Sequence, residues 1–208
     1  MYILSIDTTY YTSASLSIDE RIIGYAKDHR RESQCENVAA IVRNVLASCA
    51  VKVSDLEAVI VTTGPGSFTG IRVGISCANA IKLANPEVKL LGVSNFDLIR
   101  SKCLRQVKNF DHMLIIVHSC RNQCFVESSG KVEALTYEEI PSRVSKLTGQ
   151  VIVAGDGVLH CYENLTKLDG VTALPRFIRA DAKNISLMSS ELINKEESDT
   201  ATPFYYGY

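Results

Sequence analysis

Three short stretches near the start of the chain, Tyr2 to Thr8, Thr12 to Ile18 and Arg21 to Lys27, are rich in β-branched and apolar residues. A brief turn at Asp19 and Glu20 joins the last two, so the segment predicts an antiparallel meander. The pattern then changes period. Val38, Ile41, Val42, Val45, Leu46 and Cys49 fall at i, i+3, i+4, i+7, i+8 and i+11, which places them on one face of a helix. Ser33, three residues before Glu36, is a candidate capping box for its start. A strand over Ala58 to Thr62, a loop Gly64-Pro65-Gly66-Ser67, a helix over about residues 68–84 and a strand over Val88 to Val93 complete the order β-β-β-α-β-α-β.

Beyond Val93, residues 94–107 read as a connecting helix. Strands follow at Met113 to Val117, Cys124 to Ser128 and Val132 to Leu135, after which helix and strand alternate again. Val151 to Ala154 is a buried strand entering the turn Gly155-Asp156-Gly157, and residues 181–194 form a last, moderately amphipathic helix. Two subdomains are expected, residues 1–100 and a smaller 101–208, with no tandem repeat in the sequence and a polar surface stretch at Glu196 to Asp199.

Composition narrows the function classes. The 208 residues are 46% hydrophobic and 22% charged, a balance that supports a core and excludes a disordered chain. With 22 basic and 23 acidic side chains the formal charge is −1, so a solitary nucleic-acid binder is disfavoured. The seven cysteines are odd in number and scattered, which suits reduced thiols. No apolar run approaches the roughly 18 residues of a membrane helix, and a strand-like run opens the chain directly, so a cytoplasmic protein without membrane contact is expected.

Candidate chemistry concentrates at two strand ends. In the block from Thr63 to Gly74, two glycines and a proline separate a strand from a helix N-terminus, where free backbone N–H groups suit an anion such as phosphate. The block lacks the Gly-Lys-Ser/Thr ending of a P-loop and the glycine spacing of a dinucleotide fingerprint. The same residues would also make a capped turn that packs a helix tightly on a sheet. At the end of the first strand, Asp7, Thr8 and Thr9 could hold a magnesium-bound nucleotide through oxygen ligands or form an ordinary Asx turn. His118, Cys120 and Cys124 lie within seven residues, a candidate soft-metal set, but no fourth ligand is evident and buried thiols at a strand end are the favoured alternative.

Ile3-Leu4-Ser5-Ile6-Asp7-Thr8, the block Gly64 to Gly74 and Gly92-Val93-Ser94 together resemble the bacterial TsaB (YeaZ) family. The similarity is strong over about residues 1–100 and thinner beyond, where Gly155-Asp156-Gly157 and Pro203-Phe204-Tyr205 echo the family pattern. The resemblance implies an α/β chain of the actin-like ATPase (ribonuclease H-like) fold with two β-β-β-α-β-α-type subdomains. It also implies a part in making N6-threonylcarbamoyladenosine next to the anticodon of tRNAs that read codons beginning with A. In that family the protein is a non-catalytic subunit that pairs with the related transferase TsaD and works with an ATPase, TsaE. The resemblance therefore implies no catalytic residue, metal or cofactor held by this subunit alone; ATP and magnesium are used by the complex, tRNA is met through the complex, and the subunit forms a homodimer when alone. TsaD-like proteins carry two metal-binding histidines four apart, a pair that His29, His112, His118 and His160 do not supply. Thr9 stands where the first phosphate motif of actin-like ATPases has a glycine, and the chain further departs from the family at Ser119 and Gln34. Asp7, Thr8, Gly64, Gly66 and Ser67 are thus candidates for a vestigial phosphate site.

The outer helix faces supply a candidate partner interface. Arg72, Ser76 and Asn79 form a polar stripe on the second helix, flanked by apolar and small residues. Glu36, Ala40, Arg43, Ala47 and Ala50 lie opposite the core stripe of the first, where small residues let another helix approach closely, and Ala40, Arg43 and Ala47 are the candidate contacts. Two such helices could build a four-helix interface with a related protein. A reading of a different class is a stand-alone actin-like ATPase or phosphotransferase that uses Asp7 and the Gly64 to Ser67 loop.

Overall fold

The computed structural model describes residues 1–30, 34–119, 122–175, 179, 181–195 and 200–206. Ser33 of the candidate capping box, Cys120 of the candidate metal set and the acidic stretch 196–199 lie outside the described residues. The meander appears as β1 (Tyr2–Asp7), β2 (Thr12–Ile18) and β3 (Arg21–Asp28), followed by α1 (Gln34–Ser48), β4 (Ala58–Gly64), α2 (Phe68–Ala84) and β5 (Lys89–Ser94). Helix α3 (Asn95–Leu104) leads to β6 (His112–His118), β7 (Gln123–Ser128), β8 (Lys131–Thr136), α4 (Glu139–Val144), β9 (Val151–Ala154), α5 (Val158–Leu165) and β10 (Val171–Leu174). The chain closes with α6 (Ala182–Ser186) and α7 (Ser189–Lys195).

Each five-stranded sheet is built to one plan. The first runs β3-β2-β1-β4-β5 and the second β8-β7-β6-β9-β10, with the hairpin strands antiparallel and the last three parallel. The order β-β-β-α-β-α-β therefore occurs twice, as the actin-like fold requires. No sequence repeat marks this duplication, because a topology needs only strand and helix periods in the right order.

Chain contacts define two units, Met1–Asn95 with Asp181–Tyr205, and Phe96–Ala180 with Tyr206–Tyr208. The first therefore takes in the C-terminal helices, which a division at residue 100 assigns to the second subdomain. Alternation in the central strands explains the return. Leu4, Ile6, Ala14 and Leu16 join Val59, Val61 and Leu90 in a buried cluster with Val38, Val42, Val45, Ile71, Ile75 and Ala78 of α1 and α2. The intervening residues Ser5, Ser13 and Ser15 face the other way and are fully buried or nearly so. Helix α6 meets them with hydroxyls: Ser186 Oγ lies 3.1 Å from both Ser5 Oγ and Ser15 Oγ, and the Ala182 N–H donates to Ser13 Oγ. The last helix is also broken. The break between α6 and α7 falls at Leu187 and Met188, and Ser189 Oγ donates across it to the Ser186 carbonyl at 2.8 Å.

The second unit has its own core, with Leu114, Ile116, Val126, Val151 and Val153 packed on Ile140, Val144, Val158 and Leu165. Strand β10 and helices α4 and α5 lie within the expected alternation of helix and strand.

Leu16 is fully buried and Leu83 is 83% exposed. Leu16→Ala is therefore expected to lower unfolding stability by about 2–5 kcal/mol in a urea titration, and Leu83→Ala to change it by less than about 0.5 kcal/mol.

Candidate functional sites: a closed strand-end cluster and an open helix face

At the end of β1 the predicted residues do come together. Asp7 is 2% exposed, and its Oδ1 accepts from the Thr9 N–H (3.1 Å), the Thr9 hydroxyl (2.7 Å) and the Thr62 hydroxyl (2.9 Å) at the end of β4. Burial pushes the Asp7 carboxyl above the usual carboxylate range, against the opposing pull of these hydrogen bonds, and the charge of Asp181 adds to the rise. The Thr8 hydroxyl donates to the Gly70 carbonyl at 2.7 Å.

The glycine-rich loop is tied to this same cluster. The Ser67 N–H donates to the Thr9 carbonyl at 2.7 Å, and Ser67 Oγ caps α2 by accepting from the Gly70 N–H at 3.1 Å. A Cβ at Gly66 would sit 2.7 Å from Thr9 Cβ, and one at Gly74 would collide with the Thr8 hydroxyl. The two glycines thus let α2 and its loop close directly onto Thr8 and Thr9. Asp7, Thr8, Gly64, Gly66 and Ser67 meet in one place, in an arrangement that fastens α2 to β1. Thr9 is held inside this cluster, its hydroxyl donating to Asp7 and its carbonyl accepting from Ser67.

In the second unit the ends of β6 and β9 carry a different set. His118 Nδ1 lies 2.7 Å from the Tyr137 hydroxyl, the two rings are almost parallel at 7°, and His160 stacks on both at 5.0 and 4.5 Å. Asp156 of the Gly155-Asp156-Gly157 turn accepts from the His118 backbone N–H at 2.8 Å and pairs with Arg179 at 3.4 Å. Cys124 donates to the Leu135 carbonyl, and burial pushes its thiol up to about 12 and that of Cys161 to about 11, so both stay protonated at neutral pH. Cys49, Cys77, Cys103, Cys124 and Cys161 are free thiols. Among the described residues no three His, Cys, Asp or Glu side chains form a group able to hold a metal ion.

The other predicted set lies on open surface. Arg43, Ala47, Arg72, Ser76 and Asn79 are exposed and Ala40 is half-buried. A groove of about 530 Å³ runs along α1 and α2 between Val38 and Ala39 on one side and Phe68, Arg72, Val73, Ser76 and Ala80 on the other. Sequence reasoning missed Phe68, which is 60% exposed at the first position of α2. It also missed Tyr205, whose hydroxyl accepts from Arg72 Nε and Nη2 at 3.2 and 3.0 Å. An exposed phenylalanine at a helix start was the one available signal. The Tyr205 contact spans 133 positions and leaves no local mark.

Among the described residues no helix is long and apolar enough to cross a membrane. Residues 28–179 match the family model described as TsaD, tRNA N6-adenosine threonylcarbamoyltransferase. The chain is 25% identical over 166 residues to the tRNA threonylcarbamoyladenosine biosynthesis protein TsaB of Buchnera aphidicola subsp. Schizaphis graminum, covering 74% of this chain and 78% of that protein. It is 34% identical over 95 residues to the TsaB protein of Escherichia coli K12, covering 45% of this chain and 40% of that relative. The solved structure of YeaZ from Pseudomonas aeruginosa superposes with a TM-score of 0.76 at 18% identity, covering 99% of this chain and 100% of that one, a likeness of fold.

Asp7→Asn keeps a hydrogen-bond acceptor but removes the buried charge. Because the folded-state pKa of Asp7 is raised, the wild type should lose stability as pH climbs through that value, and Asp7→Asn should be flatter with pH and more stable at pH 7. Asp7→Ala, which strands the Thr9 and Thr62 hydroxyls, should cost about 1–3 kcal/mol. Urea unfolding at pH 5 and pH 8 checks both expectations.

With its match to the TsaD model over most of its length and its curated relatives named TsaB, the chain belongs to the TsaB (YeaZ) family of proteins related to tRNA N6-adenosine threonylcarbamoyltransferase.

Proposed function

We propose that this chain is a non-catalytic subunit in the biosynthesis of N6-threonylcarbamoyladenosine next to the anticodon of tRNAs reading codons that begin with A. Its partner is a transferase subunit of the TsaD type, assisted by a TsaE-type ATPase. The observation that carries the reading is the contrast between the two candidate sites. At the strand ends, where an actin-like ATPase would cradle phosphate, Asp7, Thr9, Thr62 and Ser67 hydrogen-bond one another. On α1 and α2, by contrast, small and apolar groups line an open groove beside exposed Phe68 and Arg72.

A partner of the same fold would bring a similar pair of helices to this face, giving a four-helix contact with pseudo-two-fold symmetry. The same face serves self-association when the partner is absent. In this arrangement ATP, magnesium and tRNA are handled by the assembly, and the work of this subunit is to hold the transferase in its working form. The relation to a transferase family makes an independent enzyme the natural rival. For a stand-alone ATPase, however, Asp7 and the Ser67 N–H are already engaged with Thr9 and Thr62 rather than turned to a ligand.

The test is reconstitution with the TsaD- and TsaE-type subunits of the same organism, ATP, threonylcarbamoyl-adenylate and tRNA. The chain alone should form no modified adenosine, and the complete mixture should form it. Ser76→Arg and Arg43→Glu should each weaken co-purification with the TsaD-type subunit by about tenfold or more while leaving the fold intact. Modification by the isolated chain, or full activity of the mixture without it, would overturn the reading.

A further inference from the structure

Three rings of the second unit have no part in the docking role given to α1 and α2: His118 at the end of β6, Tyr137 just before α4, and His160 in α5. The planes of His118 and Tyr137 are 7° apart and their centroids 6.1 Å apart, with His118 Nδ1 2.7 Å from the Tyr137 hydroxyl. A hydrogen bond between ring edges at that separation makes them a side-by-side pair rather than a face-to-face stack. His160 covers the pair, its centroid 5.0 Å from His118 and 4.5 Å from Tyr137, its plane tilted by 19° and 23°. Tyr137 is buried, His118 half-buried and His160 exposed, so the assembly of rings runs outward from the core and ends in an imidazole at the surface. Burial pushes the Tyr137 hydroxyl above its ordinary value, so it keeps its proton and the pair stays joined at neutral pH.

Cations are tied to the foot of this assembly. Asp156 accepts from the His118 backbone N–H and pairs with Arg179, and Lys102 Nζ donates to the Arg179 carbonyl at 2.9 Å. Of the other nearby acids, Glu138 accepts from Asn122 and Glu139 from Thr136, while Glu163 stands one turn beyond His160 on α5. Residues 96–180 hold 11 Lys and Arg against 9 Asp and Glu, whereas the rest of the chain holds 11 against 14. The formal charge of −1 therefore conceals a second unit that is net positive. RNA loops are recognised through unstacked bases laid on aromatic rings, histidine among them, while cations meet the phosphates. Ring and cations together fit a nucleotide, whereas an apolar peptide would leave the cations unanswered.

We propose that His160, held over the side-by-side His118 and Tyr137 rings, is a platform on which one unstacked base of the tRNA loop rests, with Arg179 and Lys102 on the side of its phosphates. The inference rests on the tRNA-modifying role proposed above and adds a direct contact between this subunit and the nucleic acid. His118 and Tyr137 are positioning residues, and the contact is made by the ring face of His160 rather than by its charge. A chain with a net charge of −1 lacks the broad basic field that tight RNA binding needs, so the platform works inside the assembly.

Fluorescence anisotropy of a labelled tRNA anticodon stem-loop, titrated with the full chain assembled on the TsaD-type subunit of the same organism, tests the platform. His160→Ala should weaken RNA binding about tenfold, and His160→Phe, which restores a ring face without the imidazole, should bind within about threefold of wild type. Both variants should co-purify with the TsaD-type subunit as the wild type does, because α1 and α2 are untouched. A stem-loop carrying 5-iodouridine should photo-crosslink to residues 158–165, and His160→Ala should abolish that crosslink. Wild-type binding by His160→Ala, an equal loss in His160→Phe, or crosslinks confined to the TsaD-type subunit would overturn the platform while leaving the role of the subunit in the assembly standing. A wild-type assembly that neither binds nor modifies tRNA would remove that role and the platform with it.

Discussion

The alternation of side chains in β1 and β2 is the constraint on which the first unit depends. Leu4, Ile6, Ala14 and Leu16 point to one side, and Ser5, Asp7, Ser13 and Ser15 to the other. The apolar side can be covered only by amphipathic helices, and α1 and α2 provide that cover with stripes of branched aliphatic residues. The hydroxyl side cannot be covered by an aliphatic stripe without stranding polar groups. It is covered instead by α6, whose Ser186 joins Ser5 and Ser15 in a buried hydroxyl chain. The sheet is thereby closed on both sides by elements whose nearest ends, Ala84 of α2 and Ala182 of α6, are 98 positions apart in sequence.

Asp7 lies on the hydroxyl side at the end of β1, and its position explains why the glycine-rich block matters structurally. Gly66 and Gly74 allow the loop and α2 to approach Thr9 and Thr8, and Ser67 both caps the helix and bonds to the β1 end. The hydrogen bonds that make the helix placement definite occupy the Ser67 and Gly70 N–H groups. With α2 fixed in this way, its outer side and that of α1 form one surface, on which Phe68, Arg72, Ser76 and Asn79 are exposed at defined positions. Structural economy at the strand end and availability of the helix face are two consequences of one packing arrangement.

Much of this was legible in the chain. The six-position stripe from Val38 to Cys49 marks α1, the Gly64 to Ser67 block marks the start of α2, and β2 and β9 have the bounds their residues suggest. What was not legible has physical causes. Strand β10 is four residues long, too short for a period to declare itself. The break between α6 and α7 falls at Leu187 and Met188, two residues that carry no helix-breaking signal. The return of the C-terminal helices to the first sheet is a tertiary pairing of hydroxyls, and serine spacing alone does not name its partner. The role of Tyr205 is likewise set by where the tail lands, whereas the exposed residues of α1 and α2 follow directly from helical periodicity.

The central claim is that the outer face of α1 and α2, with Tyr205 at its edge, is the working surface of this subunit. Amide hydrogen exchange of the full chain, alone and with the TsaD-type subunit, tests it most directly. The account predicts slowed exchange in α1, in α2 and around Tyr205 on mixing, with β7 and β8 unchanged. Protection confined to the second unit, with α1 and α2 exchanging as they do in the isolated chain, would contradict it.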